Sequence, residues 1–264
     1  MLSTGHPFFV NTRDRGITTW IVLGGVWETF VDDVLCALAR PGTVFLDVGA
    51  NQGYYTVKLG HLLGSEGRCY SFEPNPELYA FLADNVEING ISGRTHTYCL
   101  AAGEASGHSL LHFGYANMGG GYVDVPGVIS AGAEAGGIQV EISRIDDVVP
   151  QDRPVDLVKI DAEGFEPLVL RGMKETLSRA PEAAIVLEVS MAHWRRFGNP
   201  SAILSEAQGP RSAYLIGHDG RLRPLAPEEM NDRLPPDFVS YVLLLPRIAE
   251  RERAISRFLA PGPA

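Results

Sequence analysis

The chain is expected to fold as an α/β protein around a doubly wound, mostly parallel sheet. Three features carry that expectation. Short β-rich apolar runs, at Val44–Val48, Arg68–Glu73, Val155–Asp161 and Ala183–Val189, are for the most part followed by segments whose apolar residues recur at helical spacing. The first run leads straight into a glycine turn, Gly49-Ala50-Asn51-Gln52-Gly53, where bare backbone suits the close approach of a ligand. With 264 residues, 45% of them hydrophobic, the chain has material for one large core.

Taken in order, residues 1–40 lack the β/α alternation and read as an N-terminal cap layer. Strand pieces are expected at Phe8–Val10 and Thr18–Leu23, then a helix from Trp27 to Ala39 with Phe30, Val31, Val34, Leu35 and Leu38 on its apolar face. Pro41-Gly42 stops that helix. A cap of this kind covers the mouth of a nucleotide site, which turns Glu28 toward it; the alternative is a solvated acid at a helix N-terminus.

Tyr55, Leu59, Leu62 and Leu63 give the helix after the glycine turn its apolar spacing. The second strand, Arg68 to Glu73, ends at Pro74-Asn75-Pro76. Its helix runs from Pro76 to Asn89, with proline in the first turn, where its missing N–H costs nothing, and Asn89-Gly90 ending it. A third strand is expected over Thr95–Ala101. The pattern then changes to a glycine-rich insertion with short β pieces, Ser109–Phe113 and Ile138–Ile142, and a flap over Ala131–Gly137.

Alternation resumes with the strand ending at Asp161, a helix over Pro167–Ser178 and the strand Ala183–Val189. A helix near Ser201–Ala207, a strand at Ala213–Ile216, a turn at Asp219-Gly220 and an apolar strand at Phe238–Leu245 follow. The final helix, Ile248–Leu259, is charged round most of its surface and is expected to lie outside the sheet. With no internal repeat or long linker, residues 1–264 read as one domain: cap layer 1–40, core 41–246 and C-terminal helix 247–264.

A formal charge of −10, spread rather than blocked, disfavours nucleic acid as a partner. Cys36, Cys69 and Cys99 have no CxxC or metal-ligand spacing and read as reduced, buried thiols. The apolar stretch Ile17–Trp27, interrupted by threonines and glycines, falls short of the roughly 18 residues of a membrane span and is not read as following the n-region of a signal peptide. A cytoplasmic protein with no membrane partner is the expectation.

In doubly wound sheets ligands bind beyond the carboxyl ends of the strands, and four such ends carry acids here: Asp47, Glu73, Asp161 and Glu188. Glu73 lies twenty residues beyond Gly53, the spacing of an acid that accepts hydrogen bonds from ribose hydroxyls, so an adenosine-containing ligand is expected. A dinucleotide fingerprint would present glycines to pyrophosphate. This turn, Asp47-x-Gly49-x-Asn51-x-Gly53, opens instead with a carboxylate, which repels phosphate and attracts a sulfonium or ammonium. S-adenosyl-L-methionine is therefore favoured over a nicotinamide cofactor.

FLDVGANQGYYT, the acid in SFEPNP, and VKIDAEGFEPLVLRG together resemble the FkbM family of S-adenosylmethionine-dependent methyltransferases, over about residues 25–190. The resemblance implies a class I methyltransferase fold: a Rossmann-like, doubly wound seven-stranded sheet, mostly parallel with an antiparallel C-terminal strand, under an N-terminal covering layer. It implies O-methylation of sugars, polyketides or related natural products. It puts Asp47, Gly49, Asn51 and Gly53, with the adjoining Tyr54, beside the methionine portion of the cofactor and Glu73 on its ribose. Asn75 would flank the adenosine, Ala101 and Ala102 would lie near adenine, and Asn117 near the cofactor or substrate mouth, where Glu28 is also expected.

Phe165 stands where many members of the family that the motifs resemble have histidine or another residue, so no histidine base is assigned there. For substrate orientation or proton acceptance, Asp161 and Glu163 rank first, then Glu188 and His193, with Asp161 also beside the cofactor. Glu163 and Glu166 have the alternative reading of acids favoured in a helix's first turn. No metal site is expected, because no His or adjacent Asp completes one. The partner is a small-molecule hydroxyl acceptor, and a homodimer is compatible with the sequence. Two other readings stay open: a NAD-dependent oxidoreductase and a noncatalytic nucleotide-binding protein.

Overall fold

The computed structural model describes residues 1–114, 116–124 and 137–260. In chain order the elements are α1 (Ile17–Gly24), α2 (Thr29–Leu38), β1 (Val44–Val48), α3 (Tyr54–Leu62), β2 (Arg68–Phe72), α4 (Pro76–Ile88), β3 (Thr95–Tyr98), β4 (Ala101–Ala102), β5 (Gly107–Gly114), β6 (Asn117–Val123) and β7 (Ile138–Ser143). There follow α5 (Ile145–Val148), β8 (Leu157–Ile160), α6 (Glu166–Arg171), α7 (Lys174–Arg179), β9 (Ala184–Ser190), α8 (Met191–Trp194), α9 (Pro200–Gln208), β10 (Ser212–Ile216), β11 (Leu222–Pro224), α10 (Met230–Arg233), β12 (Val239–Leu245) and α11 (Ala249–Ile255).

The main sheet has the order β11-β10-β12-β9-β8-β1-β2-β3. Strands β3, β2, β1, β8 and β9 are parallel, and β12 runs antiparallel between β9 and β10. The mostly parallel, doubly wound sheet with an antiparallel C-terminal strand is therefore present. It has eight strands rather than seven, because Leu222–Pro224 returns from the Asp219-Gly220 turn to pair with β10 at the edge.

Apart from the edge strand β3, each parallel strand is buried along almost its whole length, so alternate residues feed two separate cores. Val44, Leu46 and Val48 pack on one face with Val158, Ile160, Ile185 and Leu187. Phe45 packs on the other with Leu157, Ala184, Val186 and Leu243, beneath α2, α3 and the N-terminal segment. Toward the carboxyl ends of the strands this second face turns polar. Asp47 stands opposite Lys159 in the β1/β8 register, and Glu188 opposite Tyr241 in the β9/β12 register. The cleft opens above that polar layer, next to the reversal of strand order between β1 and β8.

Several sequence expectations change. Thr18–Leu23 is helical, not a strand: Ile17, Thr18 and Ile21 share the buried face, and left-handed Gly25 caps the end with its N–H on the Ile21 carbonyl. Phe8–Val10 is irregular. The expected third strand splits, with Thr95–Tyr98 in the main sheet and Ala101–Ala102 joining β5, β6 and β7 in a second, four-stranded sheet. Within that sheet, β6 occupies glycine-rich sequence expected to be irregular; all but one residue of the expected flap at Ala131–Gly137 lies outside the described residues. The helix expected over Pro167–Ser178 breaks at Gly172, where a Cβ would collide with the Gly103 carbonyl. Cys69 is buried as expected, but Cys36 is only half-buried and Cys99 is exposed. The C-terminal helix stands off the sheet and packs on α2, with the buried Arg251 donating to the Leu38 and Asp156 carbonyls at 2.8 and 3.1 Å.

Among the described residues no helix is long and apolar enough to cross a membrane.

Candidate active site

The first turn is built on backbone that tolerates no side chain. Gly49 has φ 78°, and a Cβ there would overlap the Asp161 carbonyl oxygen, so the ends of β1 and β8 meet through bare backbone. Gly53, at φ 89°, opens α3 where a Cβ would press on Leu82 of α4. Asp47 lies beneath this turn. It is 0% exposed, its Oδ2 accepts from Thr56 Oγ1 at 2.7 Å, and its Oδ1 has no hydrogen-bond partner. Burial pushes its pKa up. The expectation that Asp47 lies beside the ligand is corrected: its carboxylate props the turn from below, and Asp161 is the acid facing that space.

Two adjoining cavities share Gly49, Glu73, Gly119, Asp161 and Glu163 in their walls. The smaller, about 50 Å³, is walled by Glu73, Asn75, Ala101, Ala102 and Phe165 and roofed by Met118, Gly119 and Gly121 of β6. Glu73 accepts from the N–H of Asn51 at 2.9 Å and of Asn75 at 2.8 Å, and burial raises its pKa to about 7. Asn75 caps α4 by accepting from Glu77 N at 3.0 Å. Its Nδ2 is buried without a partner. A buried donor with nothing to bond, beside a carboxylate with lone pairs to spare, fits the nitrogens and hydroxyls of an adenosine.

The larger cavity, about 170 Å³, is acidic. Glu28, at the N-cap of α2, accepts from Tyr55 Oη at 3.2 Å and lies 3.0 and 3.1 Å from Tyr241 Oη. Tyr241 Oη is also 2.7 Å from Asp161 Oδ2, which accepts from Lys159 Nζ at 3.0 Å. That ammonium stands 5.1 Å from the centre of the Tyr55 ring. Glu163 and Glu188 complete the wall, and neither carboxylate has a hydrogen-bond partner among the described residues. Burial, reinforced by the neighbouring acids, raises Glu28 to about 7, Glu163 to about 8 and Glu188 to about 11. Four carboxyl groups crowd one buried lysine, and a cation bound among them would be stabilised by drawing them toward their ionised forms.

The turn after β8 is held by Glu166, whose carboxylate is fully buried. Its Oε1 accepts from Ala162 N and Gly164 N at 2.9 and 3.0 Å, and its Oε2 from Trp194 Nε1 at 3.0 Å. These bonds present Glu163 with φ 52°. Among the described residues three non-glycine residues have positive φ, Glu28, Asn51 and Glu163, and all three line the larger cavity.

Most sequence-predicted residues meet here: Glu28, Gly49, Asn51, Tyr54, Glu73, Asn117, Asp161, Glu163 and Glu188 line the larger cavity, and Asn75, Ala101 and Ala102 the smaller. Gly53 acts through the backbone. His193 is a correction: its ring packs on Gly164, it lines neither cavity, and burial and Arg196 lower its pKa. Lys159, Tyr55 and Tyr241 were not anticipated. A lysine between Val158 and Ile160 is the one signal the sequence offered, since a buried cation needs partners.

Residues 47–218 match the family profile described as "Methyltransferase FkbM domain". The chain is 25% identical to Methyltransferase 1 of Beauveria bassiana, covering 83% of this chain and 88% of that protein. It is 28% identical to Methyltransferase sdnD of Sordaria araneosa, over 56% of this chain and 67% of that one. A 27% identical match to 31-O-demethyl-FK506 methyltransferase FkbM of Streptomyces tacrolimicus covers 52% of this chain and 61% of that protein.

Proposed function

The chain belongs to the FkbM methyltransferase family, and on that premise we propose that it moves a methyl group from S-adenosyl-L-methionine to a hydroxyl of a small molecule, a sugar or a glycosylated or polyketide natural product. The observation that carries this reading is the pairing of a pocket that holds Glu73 and the partnerless Asn75 Nδ2 with an acidic one across the shared residues Asp161 and Glu163. Glu73 and the free Asn75 Nδ2 would hold the adenosine, with Ala101 and Ala102 as its apolar wall. Asp161 and Glu163 would face the cationic end. When bound, S-adenosyl-L-methionine supplies a methyl carbon made electrophilic by its sulfonium.

The residues of this chain supply alignment, exclusion of water and a proton acceptor. Carboxylates raised by burial to about 7 or 8, as Glu28 and Glu163 are, lie in the range where an acid accepts a proton effectively at neutral pH. The name of the Streptomyces relative, which places a methyl on oxygen, supports an oxygen acceptor.

Calorimetry with S-adenosylhomocysteine and NAD, followed by mass spectrometry of hydroxylated acceptors incubated with S-adenosyl-L-methionine, tests the proposal. Saturable S-adenosylhomocysteine binding and a one-methyl mass gain on oxygen are expected. Binding of NAD with none of S-adenosylhomocysteine would overturn it.

A further inference from the structure

The contacts of Tyr241 contain one hydrogen too few. Its Oη lies 2.7 Å from Asp161 Oδ2 and 3.0 and 3.1 Å from the two oxygens of Glu28, yet a phenol has a single proton to donate. With both carboxylates ionised, one of those oxygen–oxygen contacts has no hydrogen in it and is repulsive. One added proton fills both: a protonated Glu28 donates to Tyr241 Oη, which donates to Asp161, or the same chain runs in reverse. We propose that Glu28 and Asp161, bridged by Tyr241, form a single proton-accepting pair that takes up the hydroxyl proton of the methyl acceptor, with Tyr241 as its positioning residue.

The surroundings decide where that proton rests. Lys159, from β8, donates to Asp161 and sets a positive charge beside it. Glu28 faces two phenols, Tyr55 from α3 and Tyr241 from β12, and no cation within hydrogen-bond reach. Asp47 from β1, Glu188 from β9 and Glu163 from the turn after β8 lie around the pair, and burial raises each of them, so the cluster as a whole holds protons rather than charge. In the transfer, the acceptor's O–H bond breaks and its proton joins the pair. The oxygen keeps the electron pair that forms the bond to the methyl carbon, while the methyl–sulfur bond of the donor would break and leave its electron pair on a neutral thioether sulfur. Proton uptake is then the event that completes the Tyr241 bridge, so the pair is most stable in the state that catalysis produces.

This inference rests on the methyltransferase reading for its purpose, but its test does not need a methyl donor. Carboxyl carbons of protein labelled with ¹³C at Asp and Glu are titrated by NMR in wild type and Tyr241→Phe. A shared proton gains one hydrogen bond on arrival in wild type and none in the variant, so the midpoint of the pair falls by about one pH unit. If Tyr241 were only a donor to an ionised carboxylate, its loss would raise the midpoint; a rise or no change overturns the proposal.

Glu28→Gln gives Tyr241 a permanent hydrogen from the amide, and the step that Tyr241→Phe shifts should vanish together with the acid limb of the kcat–pH profile, while the separate steps of Glu73 and Glu163 stay. Persistence of the shifted step overturns the proposal equally. A downward shift in a protein that binds no S-adenosylhomocysteine would refute the proposed function and leave the pair standing. Turnover with an upward shift would do the reverse.

Discussion

Replacing Glu188 with glutamine should make the protein more stable, and increasingly so as the pH rises. Glu188 lies in β9, is 8% exposed and has no hydrogen-bond partner among the described residues, while Asp161, Glu166, Glu163 and Glu28 surround it. Its folded pKa of about 11 stands above the ordinary 4.5. An acid raised in this way contributes stability that is fully present below pH 4.5 and is lost as pH climbs through the folded value, because the unfolded chain releases a proton that the folded chain must retain. The loss has a ceiling of about 1.4 kcal/mol per pH unit, hence about 3 kcal/mol at pH 7. A buried glutamine still carries an amide with nothing to bond, which gives back on the order of 1 kcal/mol. The expected net gain is about 2 kcal/mol at pH 7, a large fraction of the 5–15 kcal/mol typical of a domain. Urea unfolding of wild type and Glu188→Gln from pH 5 to 8 measures it. The remaining raised acids give both proteins a falling slope, but that of the variant should be shallower. Parallel slopes would refute the reasoning, since they would mean that Glu188 is ionised in the fold.

Three further outcomes follow from the geometry. Glu166→Ala strands three buried donors, the N–H groups of Ala162 and Gly164 and the Trp194 indole, and should cost about 4 kcal/mol in urea unfolding; a loss under about 1 kcal/mol would mean the turn is held by other contacts. Gly49→Ala forces a Cβ into the Asp161 carbonyl at φ 78°, so it should destabilise by about 2 kcal/mol or more and abolish S-adenosylhomocysteine binding in calorimetry. Glu73→Gln should weaken S-adenosylhomocysteine about tenfold or more, with stability at pH 8 kept or improved because the buried acid no longer has to ionise against a pKa of about 7; undiminished affinity would remove Glu73 from the adenosine pocket.

The sheet was legible because buried strands write themselves as short apolar runs, and β1, β8, β9 and β12 all do. The acids at strand ends were legible for the same reason. Asp47 shows the limit: periodicity placed it at the end of β1, but only the register with Lys159 and the contact with Thr56 show its carboxylate turned beneath the loop. Tyr55 and Tyr241 were hidden inside apolar runs, where a ring that fills a core and a phenol that serves a cleft look alike. Residues Thr18–Leu23 misled because β-branched residues favour strands locally, and burial of Ile17 and Ile21 one helical turn apart overrode that preference. The helix break at Gly172 depends on Gly103, some seventy residues earlier, which no local pattern encodes.

Strain, unpaired polar atoms and raised acids converge on one edge of the sheet. The three left-handed non-glycine residues line the larger cavity, the partnerless Asn75 Nδ2 faces the smaller, and the partnerless Asp47 Oδ1 lies just below the turn that joins them. Each is a cost that the two apolar cores offset from below. The unpaired acid at Glu188 and the strain at Glu163 do nothing for the fold, because a leucine at Glu188 or a glycine at Glu163 would serve the folded chain better. What these residues share is a direction: Glu28 comes from the cap, Glu163 from the turn after β8, Glu188 from β9 and Tyr241 from the antiparallel strand, and all face the same space. The antiparallel β12 matters here for a mechanical reason. Running opposite to β9, it brings an early residue, Tyr241, alongside the late residue Glu188, and so supplies a side chain to the cleft that a parallel strand in its place would have presented only at its own far end.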